Sequence, residues 1–405
     1  MPEFTIQRLG HQGDGIAQGP VFAPRTLPGE VVSGTLDGNQ LADIRIVTPS
    51  PDRVQPPCRH YRSCGGCQLQ HASDDFVARW KQDFARSALA AQGIETEWRD
   101  MAISPPHSRR RATVAVRRTK KGALTGFHGR ASGTITEIPD CHLLDPDLIA
   151  ALPMTEALAA LGASRKGEMA VTLTLSGGGL DVAVKGGKTL DGPLEMALAQ
   201  FAEAQRLARL AWEGETIATR IPPTQVFGRA AVVPPPGAFL QATAEGEAAL
   251  LAAVREIVGP AKRVADLFAG CGTFALPLAE TAEVHAVEGE KAMTAALDKG
   301  WREAQGLKRV TSEARDLFRR PLMPDELSRF DAVVIDPPRA GAEAQVAELA
   351  QAAVPVIAHV SCNPVSFARD ARTLVDAGYR LDWVQVVDQF RWSVHTELVA
   401  QFSRT

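Results

Sequence analysis

The stretch Asp266-Leu-Phe-Ala-Gly-Cys-Gly-Thr-Phe274 decides the fold of this chain. It ends the β-branched run KRVADLF and opens an alanine-rich segment, which predicts a strand, a tight turn and a helix. Gly270 and Gly272 let the backbone pass close to a ligand, and such ligands bind at the carboxyl ends of strands in open α/β sheets. Taken alone, the glycine pair is equally typical of an ordinary strand–helix turn.

The same alternation of predicted strands and helices continues to the end of the chain. VHAVE, KRVTSEARD, DAVVID and PVIAHVSC are strand candidates, and alanine-rich helical stretches separate them. This alternation predicts an α/β fold, a Rossmann-like doubly wound parallel sheet with helices on both faces, over residues 236–405.

Glu288 ends the second strand candidate, 18 residues beyond Gly270. An acid at that distance accepts hydrogen bonds from both ribose hydroxyls of a nucleoside, although an isolated strand-end glutamate is often merely solvated. The glycine loop lacks the third glycine of the dinucleotide fingerprint. S-Adenosylmethionine, which has no pyrophosphate, therefore fits better than NAD.

A carboxylate and a thiol follow two later strands, Asp336 in Asp-Pro-Pro-Arg339 and Cys362 in Ser-Cys-Asn-Pro. Parallel strands share a carboxyl edge, so both groups are expected beside the methyl donor, although a lone cysteine is more often a small buried residue. A thiolate that adds to carbon 6 of uracil turns carbon 5 into a nucleophile, and a base must then remove the carbon 5 proton. Glu397 is the best candidate base, and Arg339 is a candidate to favour the thiolate.

The first 235 residues have a different character. Short β-like runs broken by glycine and proline predict a small barrel over residues 1–50. Residues 51–235 form a predicted α+β domain, with a helix marked by Phe76, Trp80, Phe84 and Leu89 and with strands in RATVAVRR and VTLTLSGGGLDVAVKGG. VVPPPGAFLQ (232–241) is predicted to be a stiff linker.

This α+β part also holds four cysteines and the densest basic stretch. Cys58, Cys64 and Cys67 have the spacing C-x5-C-x2-C, with Cys141 further on, and four thiolates suit zinc or an iron–sulfur cluster equally well. Basic residues run from Arg109 to Lys121, with no acidic residue between 101 and 136. The net charge is −3, so any RNA site must be such a local patch, although charge runs are usually solvated faces.

The whole composition is that of a globular protein of 405 residues, long enough for two or three domains. The first residues lack the pattern of a secretory signal, and no run approaches the roughly 20 apolar residues of a membrane span. We therefore expect a cytoplasmic protein without membrane contact, and no obligate protein partner is evident.

At this point the motifs identify a resemblance. Phe239-Leu-Gln241, DLFAGCGTF, DPPRAG, SCNP and the terminal HTE occur here in the order typical of the bacterial uridine-5 RNA methyltransferases that carry an amino-terminal TRAM domain and an iron–sulfur cluster. The chain resembles them over nearly its whole length. The resemblance implies an OB-like TRAM barrel, an α+β central domain and a class I methyltransferase domain. Ala242-Thr243 depart from the Val-Asn that usually follows in the family.

The resemblance also implies roles for individual residues. Cys362 would be the nucleophile and Glu397 the base, while Asp336 would contact both donor and uracil. The S-adenosylmethionine pocket would consist of Gln241, Phe268, Thr273, Glu288, Asp316 and Asp336, and a 4Fe-4S cluster with an architectural role would be held by Cys58, Cys64, Cys67 and Cys141. RNA, in particular 23S ribosomal RNA, would be the substrate, bound with help from the basic stretch and the barrel.

Other functions compete with this interpretation. Amino methyltransferases usually carry an aromatic residue after Asp-Pro-Pro, where Arg339 stands here. A cytosine-5 RNA methyltransferase would need a second catalytic-loop cysteine, and only Cys271 in the glycine loop is available. A transfer-RNA uridine-5 methyltransferase and an RNA-binding scaffold with an inactive transferase domain are the remaining alternatives.

Overall fold

The computed structural model of the protein describes residues 2–404. The chain begins with a closed five-stranded barrel in the order β1-β2-β3-β5-β4, as predicted. Alternate side chains point inward, and Ile6, Ala23, Val32 and Leu41 form its small core. The strands are β1 (Glu3–Leu9), β2 (Asp14–Ala17), β3 (Val21–Pro24), β4 (Val31–Asp37) and β5 (Gln40–Thr48).

An irregular segment that carries three cysteines leads from the barrel to helix α1 (Asp74–Ala90). Ser73 caps this helix by accepting a hydrogen bond from the backbone N–H of Phe76. The helix is where the spacing of apolar residues predicts it. Its most buried side, however, includes Lys81, whereas Phe76 and Trp80 are only half-buried.

Two short strands, β6 (Glu97–Trp98) and β7 (Ala102–Ile103), come next and join the large carboxyl-terminal sheet. Each pairs in parallel with the strand at residues 380–388. This differs from the predicted division, in which residues 51–235 form the central domain. Strands of two residues carry no periodic pattern, so their partner cannot be inferred from the local sequence.

The central domain is a seven-stranded sheet in the order β10-β9-β8-β11-β12-β13-β14. Three helices pack against it around a core that includes the fully buried Trp212. RATVAVRR forms β8, and β11 and β12 are the predicted hairpin. The elements are β8 (Arg111–Arg118), β9 (Ala123–His128), β10 (Ile135–Thr136), α2 (Pro146–Ala150), α3 (Leu152–Gly162), β11 (Glu168–Ser176), β12 (Gly179–Lys185), α4 (Gly192–Ala204), β13 (Arg209–Trp212) and β14 (Glu215–Thr219).

A hairpin of β15 (Gln225–Phe227) and β16 (Ala230–Val232) follows, and it packs on the carboxyl-terminal domain. Residues 233–243 have no helix or strand and form the predicted linker. Arg111 holds this linker to β8 by donating a hydrogen bond to the carbonyl of Gly237.

The carboxyl-terminal domain is a nine-stranded sheet with the main order β19-β18-β17-β20-β21-β23-β22-β6. Strands β17 to β21 are parallel, and helices cover both faces, so the predicted α/β fold is confirmed. Within residues 2–404 no helix is both long and apolar enough to cross a bilayer. The elements are α5 (Ala244–Val258), β17 (Arg263–Leu267), α6 (Ala275–Leu278), β18 (Glu283–Glu288), α7 (Lys291–Glu303), β19 (Val310–Ala314), α8 (Pro324–Leu327), β20 (Ala332–Ile335), α9 (Glu343–Gln351), β21 (Val356–Ser361), α10 (Pro364–Asp376), β22 (Arg380–Asp388) and β23 (Glu397–Ser403).

Candidate active site

The topology of the sheet brings the predicted reactive residues to one edge. Asp336 directly follows β20 and Cys362 directly follows β21, and these strands are parallel. Strand β23 runs antiparallel to β21, so its first residue lies at the same edge. Ser361 pairs with Leu398, and the next position in this register sets Cys362 beside Glu397.

Both residues line a cavity of about 520 Å³ between the domains. The large sheet contributes Cys362 and Glu397, the central domain contributes Arg109 and Phe127, and the cysteine segment contributes Gly66. A cavity of this size is in the range of small-molecule and nucleotide sites. The candidate reactive residues of the sheet therefore face residues of the central domain and of the cysteine segment across one cavity.

Cys362 is placed by the start of α10. Asn363 caps the helix by accepting from the backbone N–H of Val365, and Pro364 occupies the first turn, where a missing N–H costs nothing. The thiol thus lies just before a helix N-terminus, where the helix dipole favours an anion. Burial raises the pKa of Cys362 to about 11, and the carboxyls of Glu397 and Asp336 act in the same direction, while the guanidinium of Arg339 lowers it.

Glu397 belongs to a chain of four side chains. The amide of Gln389 donates hydrogen bonds to the carboxylate of Glu397 and to Oε1 of Gln241, the latter over 2.7 Å. Gln241 in turn lies 3.5 Å from the carboxylate of Asp336. Burial raises the pKa of Glu397 to about 8 and that of Asp336 to about 7. Gln389 was absent from the sequence prediction, because no local motif marks it.

The glycine loop has the backbone that its sequence predicts. Gly270 and Gly272 have φ of +55° and +96°, in the left-handed region that glycine adopts freely. The carboxylate of Glu288 accepts hydrogen bonds from the backbone N–H groups of Gly270 (3.0 Å) and Glu290 (2.9 Å). Asp266 is fully buried beneath the loop, and burial, together with the nearby carboxyl of Asp336, raises the pKa of this carboxyl well above its usual range.

The remaining predicted donor-pocket residues lie along the same edge. Phe268 has φ of +63°, which is unusual for a residue with a side chain. Its ring lies 5.4 Å from that of Phe318, a half-exposed residue that the sequence prediction missed. Asp316 accepts a hydrogen bond from the backbone N–H of Phe318, and Thr273 is half-buried in the glycine loop. The partly buried Phe268, with its positive φ, and the exposed Phe318 therefore lie together at this edge.

The four predicted metal ligands line one small cavity. Cys58, Cys64 and Cys67 come from the segment before α1 and Cys141 from the segment before α2, and all four thiols are free. The backbone N–H of Gly66 points at the sulfur of Cys64 over 3.4 Å. Within residues 2–404, no three His, Cys, Asp or Glu side chains are arranged to hold a metal ion as they stand.

The cysteine segment is attached to the turn that precedes Glu397. The backbone N–H groups of Gln68 and Leu69 both donate to the carbonyl of Trp392 over 2.9 Å. The side-chain oxygen of Gln68 accepts from the backbone N–H of Val394 over 3.4 Å. The conformation of this segment is therefore linked to that of the turn leading to Glu397.

The basic stretch does not form one continuous face. Arg110 pairs with Glu247 and Arg117 with Glu168, while Arg109 lines the cavity. Lys120 and Lys121, in the β8–β9 turn, are exposed and have no ion pair among the described residues. The local sequence shows the positive charges but not their carboxylate partners. Glu168 lies 51 residues from Arg117, and Glu247 lies 137 residues from Arg110.

Comparison with known proteins identifies the family. Residues 226–404 match the family model described as tRNA (Uracil-5-)-methyltransferase. An uncharacterised RNA methyltransferase of Brucella suis is 45% identical over 99% of this chain and 98% of its own length. The 23S rRNA (uracil(1939)-C(5))-methyltransferase RlmD of Halomonas elongata is 35% identical over 98% of this chain and 88% of its own length.

A solved structure supports the same fold. The Pyrococcus abyssi tRNA (uracil-54, C5)-methyltransferase, solved in complex with S-adenosyl-L-homocysteine, superimposes with a TM-score of 0.76 over 99% of both chains at 22% identity. The barrel, central sheet and class I methyltransferase domain are therefore one shared architecture. On the relatives matched over nearly its full length, the chain belongs to the RNA (uracil-5-)-methyltransferase family.

Proposed function

We propose that this enzyme transfers a methyl group from S-adenosylmethionine to carbon 5 of a uridine in RNA through a covalent bond between Cys362 and carbon 6. The observation that carries the proposal is the meeting of Cys362 and Glu397 in one cavity at the sheet edge that also bears the glycine loop. A nucleophile and a base on adjacent strands can act on adjacent carbons of one pyrimidine ring.

Cys362 and Glu397 take part in different steps of the proposed reaction. The thiolate of Cys362 adds to carbon 6, and the electron pair of the C5–C6 double bond becomes available at carbon 5. S-Adenosylmethionine would supply an electrophilic methyl group to carbon 5; its bond from the methyl carbon to the sulfonium sulfur would break, which leaves S-adenosylhomocysteine. Glu397 then removes the carbon 5 proton, the double bond forms again, and the bond between carbon 6 and sulfur breaks to release Cys362.

The electrostatics of the site support these roles. Cys362 needs help to ionise, and both Arg339 and the N-terminus of α10 favour its thiolate. Burial and the nearby Asp336 raise the pKa of Glu397 to about 8, so this carboxyl is largely protonated near neutral pH in the free enzyme. A base with a pKa near the working pH can both take and release a proton efficiently.

The methyl donor fits the edge that runs from the glycine loop to Asp336. Glu288 would accept from the ribose hydroxyls, and the Phe268–Phe318 pair would bound the adenine ring. Gln241, Thr273, Asp316 and Asp336 would complete the pocket.

The substrate RNA would enter from the central domain. The cavity opens between this domain and the sheet, so the target uridine must be single-stranded or flipped out of a helix. The similarity to RlmD over nearly the full chain favours 23S ribosomal RNA over transfer RNA, and such a substrate would place the enzyme in the cytoplasm. The basic β8–β9 turn and the amino-terminal barrel, which we assign to the TRAM type, would contact phosphates outside the cavity.

We further propose that the four cysteines hold a 4Fe-4S cluster. They line one cavity. Four thiolates suit zinc or an iron–sulfur cluster, and the resemblance to the family that carries such a cluster favours iron–sulfur. The N–H of Gly66 directed at Cys64 is typical of the hydrogen bonds that tune such clusters. Methyl transfer has no redox step, so the cluster would have an architectural role.

A denaturing gel tests the proposed chemistry. RNA with 5-fluorouridine at the target, which lacks the proton that Glu397 removes, should remain covalently attached to the enzyme when the donor is present. Cys362→Ala should abolish the shifted band, and Cys271→Ala, a control at the other cysteine of the domain, should keep it. Bound RNA without any covalent species would instead favour an RNA-binding scaffold.

A further inference from the structure

Gln389 is a residue to which the proposed mechanism gives no task, although it contacts two residues that have one. Resting on the function proposed above, we infer that Gln389 is a positioning residue that holds the carboxyl of Glu397 in its working orientation, with Gln241 as its second hydrogen-bond partner. Release of Cys362 from the methylated uridine should therefore depend on it.

The pairing of β22 with β23 places Gln389 at the site. Val387 on β22 pairs with Glu397 on β23, so the residues that follow β22 pass directly beside the candidate base. The side chain of Gln389 is buried, and its Nε2 donates to the carboxylate of Glu397 and to Oε1 of Gln241. One amide group thus connects the candidate base to the donor side of the cavity.

The direction of these hydrogen bonds is fixed from the backbone. The N–H of Thr243 lies 3.4 Å from Oε1 of Gln389, and a backbone N–H can only donate. The oxygen of Gln389 therefore faces Thr243, and its amino group faces Glu397 and Gln241. Because Gln241 accepts with its oxygen, its own amino group is turned to the carboxylate of Asp336.

The surroundings leave Gln389 little freedom. A β-carbon on Gly246 would lie 2.2 Å from Cγ of Gln389, so the glycine makes room for this side chain. The preceding residue, Asp388, accepts from Nζ of Lys81 over 2.7 Å and from the backbone N–H of Phe390 over 2.9 Å. The backbone on either side of Gln389 is thereby held in place.

This arrangement affects the proton transfer directly. Glu397 must be ionised to take the carbon 5 proton, and a hydrogen bond donated to a carboxylate favours its ionised form. Gln389 lowers the pKa of Glu397, whereas Asp336 and burial raise it. The other titratable or charged groups that line the cavity with Glu397 are Arg109, His128, Arg339, Cys362, Arg391 and His395. Without the amide, Glu397 should hold its proton to higher pH and lose its orientation.

The test uses Gln389→Met, which keeps the length of the side chain and removes the amide. We expect turnover on uridine RNA to fall by about tenfold or more, with a methylated covalent adduct accumulating on ordinary uridine. The acid limb of the pH–rate profile should move up by about one pH unit. Attachment to 5-fluorouridine RNA needs no proton removal and should stay within about threefold of the wild-type rate.

Two further variants keep the result clear. Gln385→Met, on the strand β22 that precedes Gln389, is the matched control. The side-chain amide of Gln385 donates to the carbonyl of Asp100, and this variant should behave as the wild type. Gly246→Ala leaves the amide intact but displaces it, and should produce the same accumulation of adduct.

Two outcomes count against the inference. Turnover of Gln389→Met within about twofold of the wild type, with an unshifted pH profile, would overturn it. So would an equal loss of turnover and of attachment to 5-fluorouridine RNA, because that result indicates general damage. A wild-type enzyme that never attaches to 5-fluorouridine RNA would instead contradict the proposed function itself.

Discussion

Lys81 and Asp388 form an ion pair of 2.7 Å in which both side chains are almost completely buried. Lys81 lies on α1, near the beginning of the chain, whereas Asp388 ends β22, next to Gln389. Lys81 also donates to the carbonyl of Phe390 over 2.9 Å. A helix far away in sequence therefore supports the turn that leads to the candidate base.

Replacing Lys81 should destabilise the protein strongly. Lys81→Met leaves the buried carboxylate of Asp388 without its positively charged partner, which typically costs about 3–5 kcal/mol. Arg79→Met on the same helix breaks only the half-exposed pair with Asp52 and should cost less than about 1 kcal/mol. Urea denaturation of both variants measures the difference, and equal losses would contradict this role of Lys81.

The stability of the protein should fall as the pH rises through the range in which Glu397 ionises. Burial raises the pKa of Glu397 from 4.5 to about 8, so between these values the folded state keeps a proton that the unfolded state releases. This contribution is complete below pH 4.5 and is lost as the pH rises through 8. Asp336, with its pKa raised to about 7, acts in the same direction.

Glu397→Gln isolates this effect. The variant should unfold like the wild type at pH 5 and should be more stable at pH 9 by at least about 1 kcal/mol, because one pKa unit is worth about 1.4 kcal/mol. Glu203→Gln, at an exposed position on α4, should show no such gain. Chemical denaturation at the two pH values measures the free energy of unfolding of each protein. An equal change between pH 5 and pH 9 in the wild type and in Glu397→Gln would refute the raised pKa of Glu397.

Glu288 should control affinity for the methyl donor. Glu288→Ala removes the proposed ribose acceptor and the hydrogen bond that shapes the loop at Gly270, so Kd for S-adenosylmethionine should rise by about tenfold or more. Glu283→Ala, an exposed change at the opposite end of the same strand, should leave Kd unchanged. Isothermal titration calorimetry provides the comparison; similar Kd values for the two variants would exclude Glu288 from the pocket.

The cysteine cavity should contain iron. Protein purified without oxygen should be brown and hold about four irons per chain. Cys67→Ala should lose the iron, whereas Cys271→Ala, which changes a buried cysteine outside this cavity, should retain it. Metal analysis that finds one zinc in a colourless protein would overturn the cluster.

Loss of the metal should also loosen the turn before Glu397. Gln68 and Leu69 connect the cysteine segment to Trp392, so amide hydrogen exchange over residues 388–397 should accelerate in Cys67→Ala. The same segment should be unaffected in Cys271→Ala. Unchanged exchange in the iron-free protein would mean that the cluster does not support this turn.

Local patterns predicted the fold well. The β-branched runs and the glycine loop at 266–274 identify the parallel sheet, and strand order then brings Asp336, Cys362 and Glu397 to one edge. Asn363 and Pro364, at the N-terminus of α10, are residues typical of a helix start. These features depend on residues close together in the chain.

Such local patterns do not predict contacts between residues that lie far apart in the chain. The spacing of apolar residues on α1 does not predict that Lys81 is buried, because its partner Asp388 lies 307 positions away. Gln389 has no motif, and its function depends on Gln241, 148 positions earlier. Strands β6 and β7 are too short for a period, so their place in the large sheet depends on the already folded β22.

Mass spectrometry of the trapped complex tests the central claim most directly. After digestion of the adduct with 5-fluorouridine RNA, the account predicts one modified peptide, with a methylated fluoropyrimidine attached to the sulfur of Cys362. A nucleotide attached to Cys271, or methylated RNA released by an enzyme that never carries the base on Cys362, would contradict it.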